Sequence, residues 1–255
     1  MSSAKINGID IHYQMYGEGE TVVFAHGAGG NLLSWWQQIP SFSKRYQCVT
    51  FDQRGFGHSL DEPEGRGSGA FVEDLAGLLD HLGVEKAHLV AQSMGGRTML
   101  GFAVAHPRRA ISLVMADTVG GMAVEEVTAV HQQWRDSHQS TEGIGTSAIS
   151  AGFRKRNPEL ANLYLQISST NPPRPQAGYQ TPGPTAEQLS QMKVPTLFVV
   201  GEVDELSPPQ VIQAAARYIP GARVLQVPDA GHSVYFEQPE VFNFEVLQFI
   251  ESARG

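Results

Sequence analysis

His88-Leu89-Val90-Ala91-Gln92-Ser93-Met94-Gly95-Gly96 is the stretch that decides the fold. Leu89 to Ala91 is a short apolar run and reads as a buried strand. Arg97 to His106 reads as a helix, with Met99, Leu100, Phe102, Ala103 and Val104 supplying apolar surface and Pro107 stopping it. Ser93 stands at the sharp turn between the two. On such an elbow the hydroxyl projects clear of the sheet, and the helix start beneath it favours negative charge. Ala91 and Gly95, two residues before and after the serine, are small enough to let strand and helix pass closely. The commoner pattern has Gly at the first of these positions, so Ala91 is a variant that adds one methyl. Taken alone, the stretch is also compatible with an ordinary strand–helix turn that contains a serine.

The rest of the chain repeats this alternation. Lys5 to Tyr16 reads as a hairpin about Asn7-Gly8. Thr21–Ala25 is a buried strand running into His26-Gly27-Ala28-Gly29-Gly30, and Asn31 to Phe42 is expected to be one helix. Cys48–Phe51 is the next strand, and Asp61 to Gly69 a polar surface loop. Phe71, Leu75, Leu78, Leu79 and Leu82 fall at helical spacing, closed by Gly83. Ile111–Ala116 is a further strand. Pro195–Val200 and Arg223–Val227 are strands as well, followed respectively by helices over Pro208–Tyr218 and Pro239–Ser252. The pattern predicts an α/β fold: a mostly parallel central sheet flanked by helices on both faces.

One segment breaks the alternation. From Asp117 to about Gln191 the chain is rich in Gln, Ser and Thr, and Pro172, Pro173, Pro175, Pro182 and Pro184 crowd its second half. We expect a core domain of residues 1–117 and 192–255 with an inserted cap over 118–191. The cap should be partly helical, near Val124–His138 and Pro158–Ile167, with a proline-rich return.

Bulk properties narrow the function. The chain has 255 residues, enough for one α/β domain with a substantial core. Its net charge of −8 argues against nucleic acid or an anionic membrane as partner. The single cysteine, Cys48, precludes an internal disulfide and reads as a small buried hydrophobe. Met1 to Ile6 carries no apolar signal region, and no run approaches the ~18 residues that span a bilayer. A cytoplasmic location is expected; oligomeric state is not readable from the sequence. His131 and His138 share one helix face, but no third ligand accompanies them, so no metal is expected, and no cofactor motif is present.

Ligand sites in parallel sheets lie at the carboxyl ends of the strands, where the chemically distinctive residues fall. A serine hydroxyl needs a neighbour to take its proton. Of nine histidines, His232, in the short loop Pro228-Asp229-Ala230-Gly231-His232, is the best-placed base. His26 ends a strand beside the elbow, where its role looks structural. The imidazole needs an acidic partner to fix its tautomer. Asp204 follows a buried strand end and gives the chain order Ser93, Asp204, His232. Asp117, just after Ile111–Ala116, is the rival acid; Glu202, Glu205 and Asp229 read as solvated. A developing oxyanion needs donors already in place, each worth ~10²–10³ in rate. The amides of Met94 and Ala28 are the candidates.

Five motifs in order carry a resemblance: His26-Gly27 after a strand, Asp52-Gln53-Arg54-Gly55-Phe56-Gly57-His58-Ser59, Gln92-Ser93-Met94-Gly95-Gly96, Gly201-Glu202-Val203-Asp204 and Gly231-His232. The chain resembles the α/β-hydrolase fold serine hydrolases over nearly its whole length outside the cap. The resemblance implies Ser93 as nucleophile, His232 as base, Asp204 as acid, and Ala28 and Met94 as oxyanion donors. A serine in place of aspartate speaks against haloalkane dehalogenases and epoxide hydrolases. Within the family the chain is similar to 3-oxoadipate enol-lactonases, aryl esterases, cofactor-free perhydrolases and ring-cleavage C–C hydrolases. The expected substrate is a small ester of short or medium acyl or aryl type, or a lactone. The alternative from another class is a ligand receptor on a hydrolase scaffold.

Overall fold

The computed structural model describes residues 1–62, 64–138, 147–173 and 182–253. Eight strands build one sheet: β1 (Ser2–Ile6), β2 (Ile9–Tyr16), β3 (Thr21–Ala25), β4 (Gln47–Phe51), β5 (Ala87–Gln92), β6 (Ala110–Ala116), β7 (Thr196–Gly201) and β8 (Arg223–Val227). Their spatial order is β1-β2-β4-β3-β5-β6-β7-β8. The chain enters through the hairpin, where Ile6 pairs with Ile9 and the two turn residues Asn7 and Gly8 have φ of 44° and 90°. Both values suit a tight turn matched to the strand twist. β2 runs antiparallel to its neighbours β1 and β4, and all the remaining pairings are parallel.

Strand periodicity divides the core. Val23 and Ala25 of β3, Leu89 and Ala91 of β5, Leu113 and Met115 of β6, and Phe198 and Val200 of β7 face one cluster. Val22, Phe24, Val90, Val114, Ala116, Leu197 and Val199 face the other. These central strands are buried on both faces, as a parallel sheet under two helical layers requires. Each fully buried Val, Leu or Phe contributes ~1.5–3 kcal/mol.

The helices sort onto the two faces. Among the described residues they are, in chain order, α1 (Ile39–Phe42), α2 (Phe71–His81), α3 (Gly95–Ala105), α4 (Glu125–Ser137), α5 (Ala151–Arg156), α6 (Pro158–Ser169), α7 (Ala186–Ser190), α8 (Pro209–Ala216), α9 (Val234–Glu237) and α10 (Pro239–Ser252). α2, α3 and α8 cover the first face; α1 and α10 cover the second. Between β6 and β7 the chain makes α4 to α7. Val127 of α4 joins the first cluster, whereas Phe153 of α5 and Ala161, Tyr164 and Ile167 of α6 join the second. Thr185 caps α7 and pairs with Ala123 in an isolated bridge, which brings the returning chain back beside its departure. Pro175, expected in that return, and Pro63, in the loop after β4, lie outside the described residues.

The single helix expected over Asn31–Phe42 is two pieces. Leu32–Trp35 is a 3₁₀ turn capped by the Asn31 side chain, and α1 begins afresh at Ile39. Pro40 is the reason: it sits in the first turn of α1, where its missing N–H costs nothing, and it would break a continuous helix. The polar loop after β4 also closes in a 3₁₀ turn at Gly67–Ala70. The short α9 was not expected from the sequence.

Candidate active site

Ser93 has φ of 48°, a left-handed conformation that costs a non-glycine residue ~1–2 kcal/mol. The surroundings hold it there. Its N–H donates to the Ala116 carbonyl at the end of β6 (3.0 Å), and its carbonyl accepts from Gly96 (2.9 Å). Gly95 lets α3 start directly against β3, since a Cβ there would come within 2.2 Å of the Ala25 carbonyl oxygen. Ala91 is fully buried in the first-face core, so its extra methyl is absorbed as packing.

Ser93 Oγ lies 2.9 Å from His232 Nε2. On the other side of the ring, His232 Nδ1 lies 2.9 and 3.0 Å from the two Asp204 carboxylate oxygens. Asp204 Oδ1 also accepts from the amides of Leu206 (2.7 Å) and Ser207 (2.8 Å), which fixes the carboxylate against the backbone after β7. A carboxylate only accepts, so Nδ1 carries the hydrogen and Nε2 presents a lone pair to the serine. Burial works against the charged imidazolium, but Asp204, followed by Asp117 and Glu237, outweighs it and raises the His232 pKa.

Asp117 is elsewhere engaged. Its φ is 54°, and it is fully buried. Oδ1 accepts from Gly201 N and Oδ2 from Val234 N, both at 3.1 Å, so this carboxylate joins the end of β7 to the start of α9. Burial, reinforced by Asp204, holds its pKa well above the ordinary range. Glu202, Glu205 and Asp229 are exposed.

The turn after β3 is braced from beneath. His26 Nε2 accepts from the Gln53 amide (3.0 Å), so its Nδ1 carries the hydrogen and donates to the Gly27 carbonyl (2.8 Å). Burial lowers the His26 pKa and keeps this neutral form. Gln53 returns a bond to the His26 carbonyl (2.7 Å) and receives one from Thr98 of α3. Among the described residues, neither Ala28 N nor Met94 N is taken up by a backbone acceptor. Ala28 packs beside Phe56, Phe71 and Met94 in a small apolar cluster separate from the two main cores.

Several further residues join these loops, in roles that the sequence did not assign. Gln92 Nε2 donates to the His232 carbonyl (2.8 Å). Asn171, just past α6, donates to the Gly30 carbonyl (3.2 Å) and accepts from Gly57 N (2.8 Å), while Asn31 donates to Thr170 Oγ1 (2.8 Å). Gln92 stands in the elbow motif itself, which is the signal for it; Asn171 lies in a segment with no motif. On the far side of Asp204, His131 and Trp134 of α4 donate to the carbonyls of Leu206 (2.7 Å) and Glu205 (3.1 Å).

A family profile described as the alpha/beta hydrolase fold matches residues 20–239. The chain belongs to the alpha/beta hydrolase family. Among similar proteins is the putative non-heme bromoperoxidase BpoC of Mycobacterium tuberculosis, 28% identical, with 97% of this chain and 100% of that one covered. The 3-oxoadipate enol-lactonase 1 of Acinetobacter baylyi is 26% identical over 91% of this chain and 88% of its own. A thermophilic esterase from Thermogutta terrifontis superposes with a TM-score of 0.86 at 26% identity, covering both chains fully. Membership indicates a hydrolase. Among the described residues, no helix is long and apolar enough to cross a membrane.

Proposed function

We propose that this protein is a serine hydrolase that cleaves small carboxylic esters, of short or medium acyl or aryl type, through an acyl-enzyme on Ser93. The observation that carries the reading is the unbroken hydrogen-bond path from Ser93 Oγ through His232 to Asp204. His232 Nε2 takes the Ser93 proton as Oγ attacks the ester carbonyl. Charge develops on the carbonyl oxygen, and the amides of Ala28 and Met94 receive it; they are fixed in place, so no reorganisation is needed at that moment. The alcohol leaves with the proton held by His232. A water, deprotonated by the same imidazole, then releases the acid.

Residues 118–191 serve in this reading as a cap over the core of residues 1–117 and 192–255. Support comes from the contacts of Thr170 and Asn171, the two residues after α6, with Asn31 and Gly30 in the turn that carries Ala28. The small side chain of Ala28 and the apolar cluster around Met94 favour an uncharged acyl group. The net charge of −8 and the lone buried cysteine suit a cytoplasmic enzyme with a small-molecule substrate. A lactone is the second reading. It is an ester whose leaving alcohol stays tethered, it needs no further group, and one similar protein is an enol-lactonase. Ring-cleavage C–C hydrolysis would draw on the same serine and base, and one relative, 26% identical, is a 2-hydroxy-6-oxononadienedioate/2-hydroxy-6-oxononatrienedioate hydrolase.

The test is a panel of p-nitrophenyl esters of rising chain length, with phenyl acetate, an enol-lactone and a ring-cleavage dienoate, each run with wild type and Ser93→Ala. Esters should turn over, with the variant lower by roughly 10⁶. Turnover of none of the panel, together with stoichiometric covalent labelling of Ser93, would point to a receptor instead.

A further inference from the structure

Glu237 is a buried carboxylate that the hydrolytic cycle does not use. It ends α9, with 7% of its surface exposed. Among the described residues its carboxylate accepts three hydrogen bonds, from two parts of the chain that lie far apart in sequence. Oε1 accepts from Gly231 N (3.1 Å), the residue before His232, and from Ser150 N (2.8 Å). Oε2 accepts from Ser150 Oγ (2.6 Å). Ser150 in turn caps α5, its Oγ accepting from Phe153 N (3.1 Å).

The fit around Gly231 leaves little freedom. A Cβ on Gly231 would meet Ser150 N at 2.8 Å and Glu237 Oε1 at 2.9 Å. Beneath it, a Cβ on Gly201 would meet the carbonyl oxygens of Ala230 and Gly231 at 2.2 Å. The loop that presents His232 is therefore pressed between β7 and the start of α5, with Glu237 as the joint. Gln92 and Asp117 hold the two backbone positions on the other side, the His232 carbonyl and the Val234 amide.

We propose that Glu237 is a positioning residue: through Gly231 it sets the backbone of the His232 loop, and through Ser150 it makes that setting depend on the seating of α5. This rests on the reading of His232 as the base. The geometry has a direct consequence, because a loosened Gly231 lets the imidazole drift from Ser93 Oγ while the binding surface stays as it is. The carboxylate also lies close enough to His232 to favour its protonated form, alongside Asp204 after β7 and Asp117 after β6. On α4, His131 faces the same group.

The experiment compares Glu237→Gln and Ser150→Ala with wild type on p-nitrophenyl acetate, with thermal melts of each. Glu237→Gln keeps the size, removes the charge, weakens the acceptor shared by Gly231 N and Ser150 N, and turns an NH2 toward Ser150 Oγ. Its kcat should fall by about ten- to a hundredfold, the scale of a misplaced catalytic group, with KM within about twofold. The acid limb of kcat/KM should move to lower pH. Ser150→Ala leaves the charge, so kcat should fall with KM held and the acid limb unmoved. If Glu237→Gln does not fold, Ser150→Ala decides. Folded variants with wild-type kcat overturn the proposal, and so does a folded Glu237→Gln with a wild-type acid limb. A Ser93→Ala control that keeps full activity would overturn the underlying reading instead, so the two failures are distinguishable.

Discussion

The Gln92 carboxamide and the His232 carbonyl are joined across 2.8 Å, although the residues lie 140 positions apart. The bond connects the last residue of β5 to the loop that holds the imidazole. The carboxamide oxygen also fills the space where a Cβ on Gly27 would come within 2.0 Å of it. One side chain thus wedges between elbow, His26 turn and histidine loop. Gln92→Ala should leave the His232 carbonyl without its partner, costing about 1–3 kcal/mol of stability. In urea melts the midpoint should fall, and kcat should fall with it. A variant with unchanged midpoint and kcat would show that Gln92 holds nothing.

Two buried aspartates flank the imidazole with different tasks. Asp204→Asn should lower kcat by up to ~10⁴, because the wrong histidine tautomer is favoured. Asp117→Asn replaces one of two acceptors with a donor facing a backbone N–H. It should cost about 1–3 kcal/mol of stability and less activity than Asp204→Asn. Steady-state kinetics on both variants checks this ordering, and a larger loss for Asp117→Asn would reassign the acid.

The sheet and the order Ser93, Asp204, His232 were legible because their signals are local: apolar runs, a glycine-flanked serine, a short loop ahead of a helix. The hairpin at Asn7-Gly8 was legible for the same reason. One helix was expected over Asn31–Phe42, where Pro40 divides the stretch into two short pieces. What holds the site could not be read. Glu237 with Ser150, Asn171 with Gly57 and Asn31 with Thr170 meet across 87, 114 and 139 positions. Polar residues at that separation carry no periodicity, and only the folded backbone brings them together.

The pH dependence follows from His232. The proposed mechanism needs the neutral ring, and its pKa is raised above the ordinary value of 6.5. The kcat/KM profile should rise with pH through a midpoint above that value and then level off. The stability contribution has the opposite sense: the folded protein holds this proton more tightly than the unfolded chain. The benefit is full below pH 6.5 and is lost as pH rises through the folded-state pKa. A profile already flat at pH 5.5 would contradict both statements.

Burial pushes the Cys48 thiol up to about 12, and the side chain has no exposed surface. The thiolate is the reactive species. Ellman's reagent should therefore leave the native protein unmodified and titrate one thiol once the chain is unfolded in guanidinium chloride. Rapid stoichiometric reaction under native conditions would be the contrary result.

The central claim is that Ser93, made nucleophilic by His232, forms the covalent intermediate. Its most direct measurement is labelling with a fluorophosphonate, followed by peptide mass spectrometry of wild type, Ser93→Ala and His232→Ala. The account predicts one label per chain on Ser93 in wild type, none in Ser93→Ala, and labelling slowed by orders of magnitude in His232→Ala. A label on any other residue, or equal labelling rates with and without the imidazole, would contradict it.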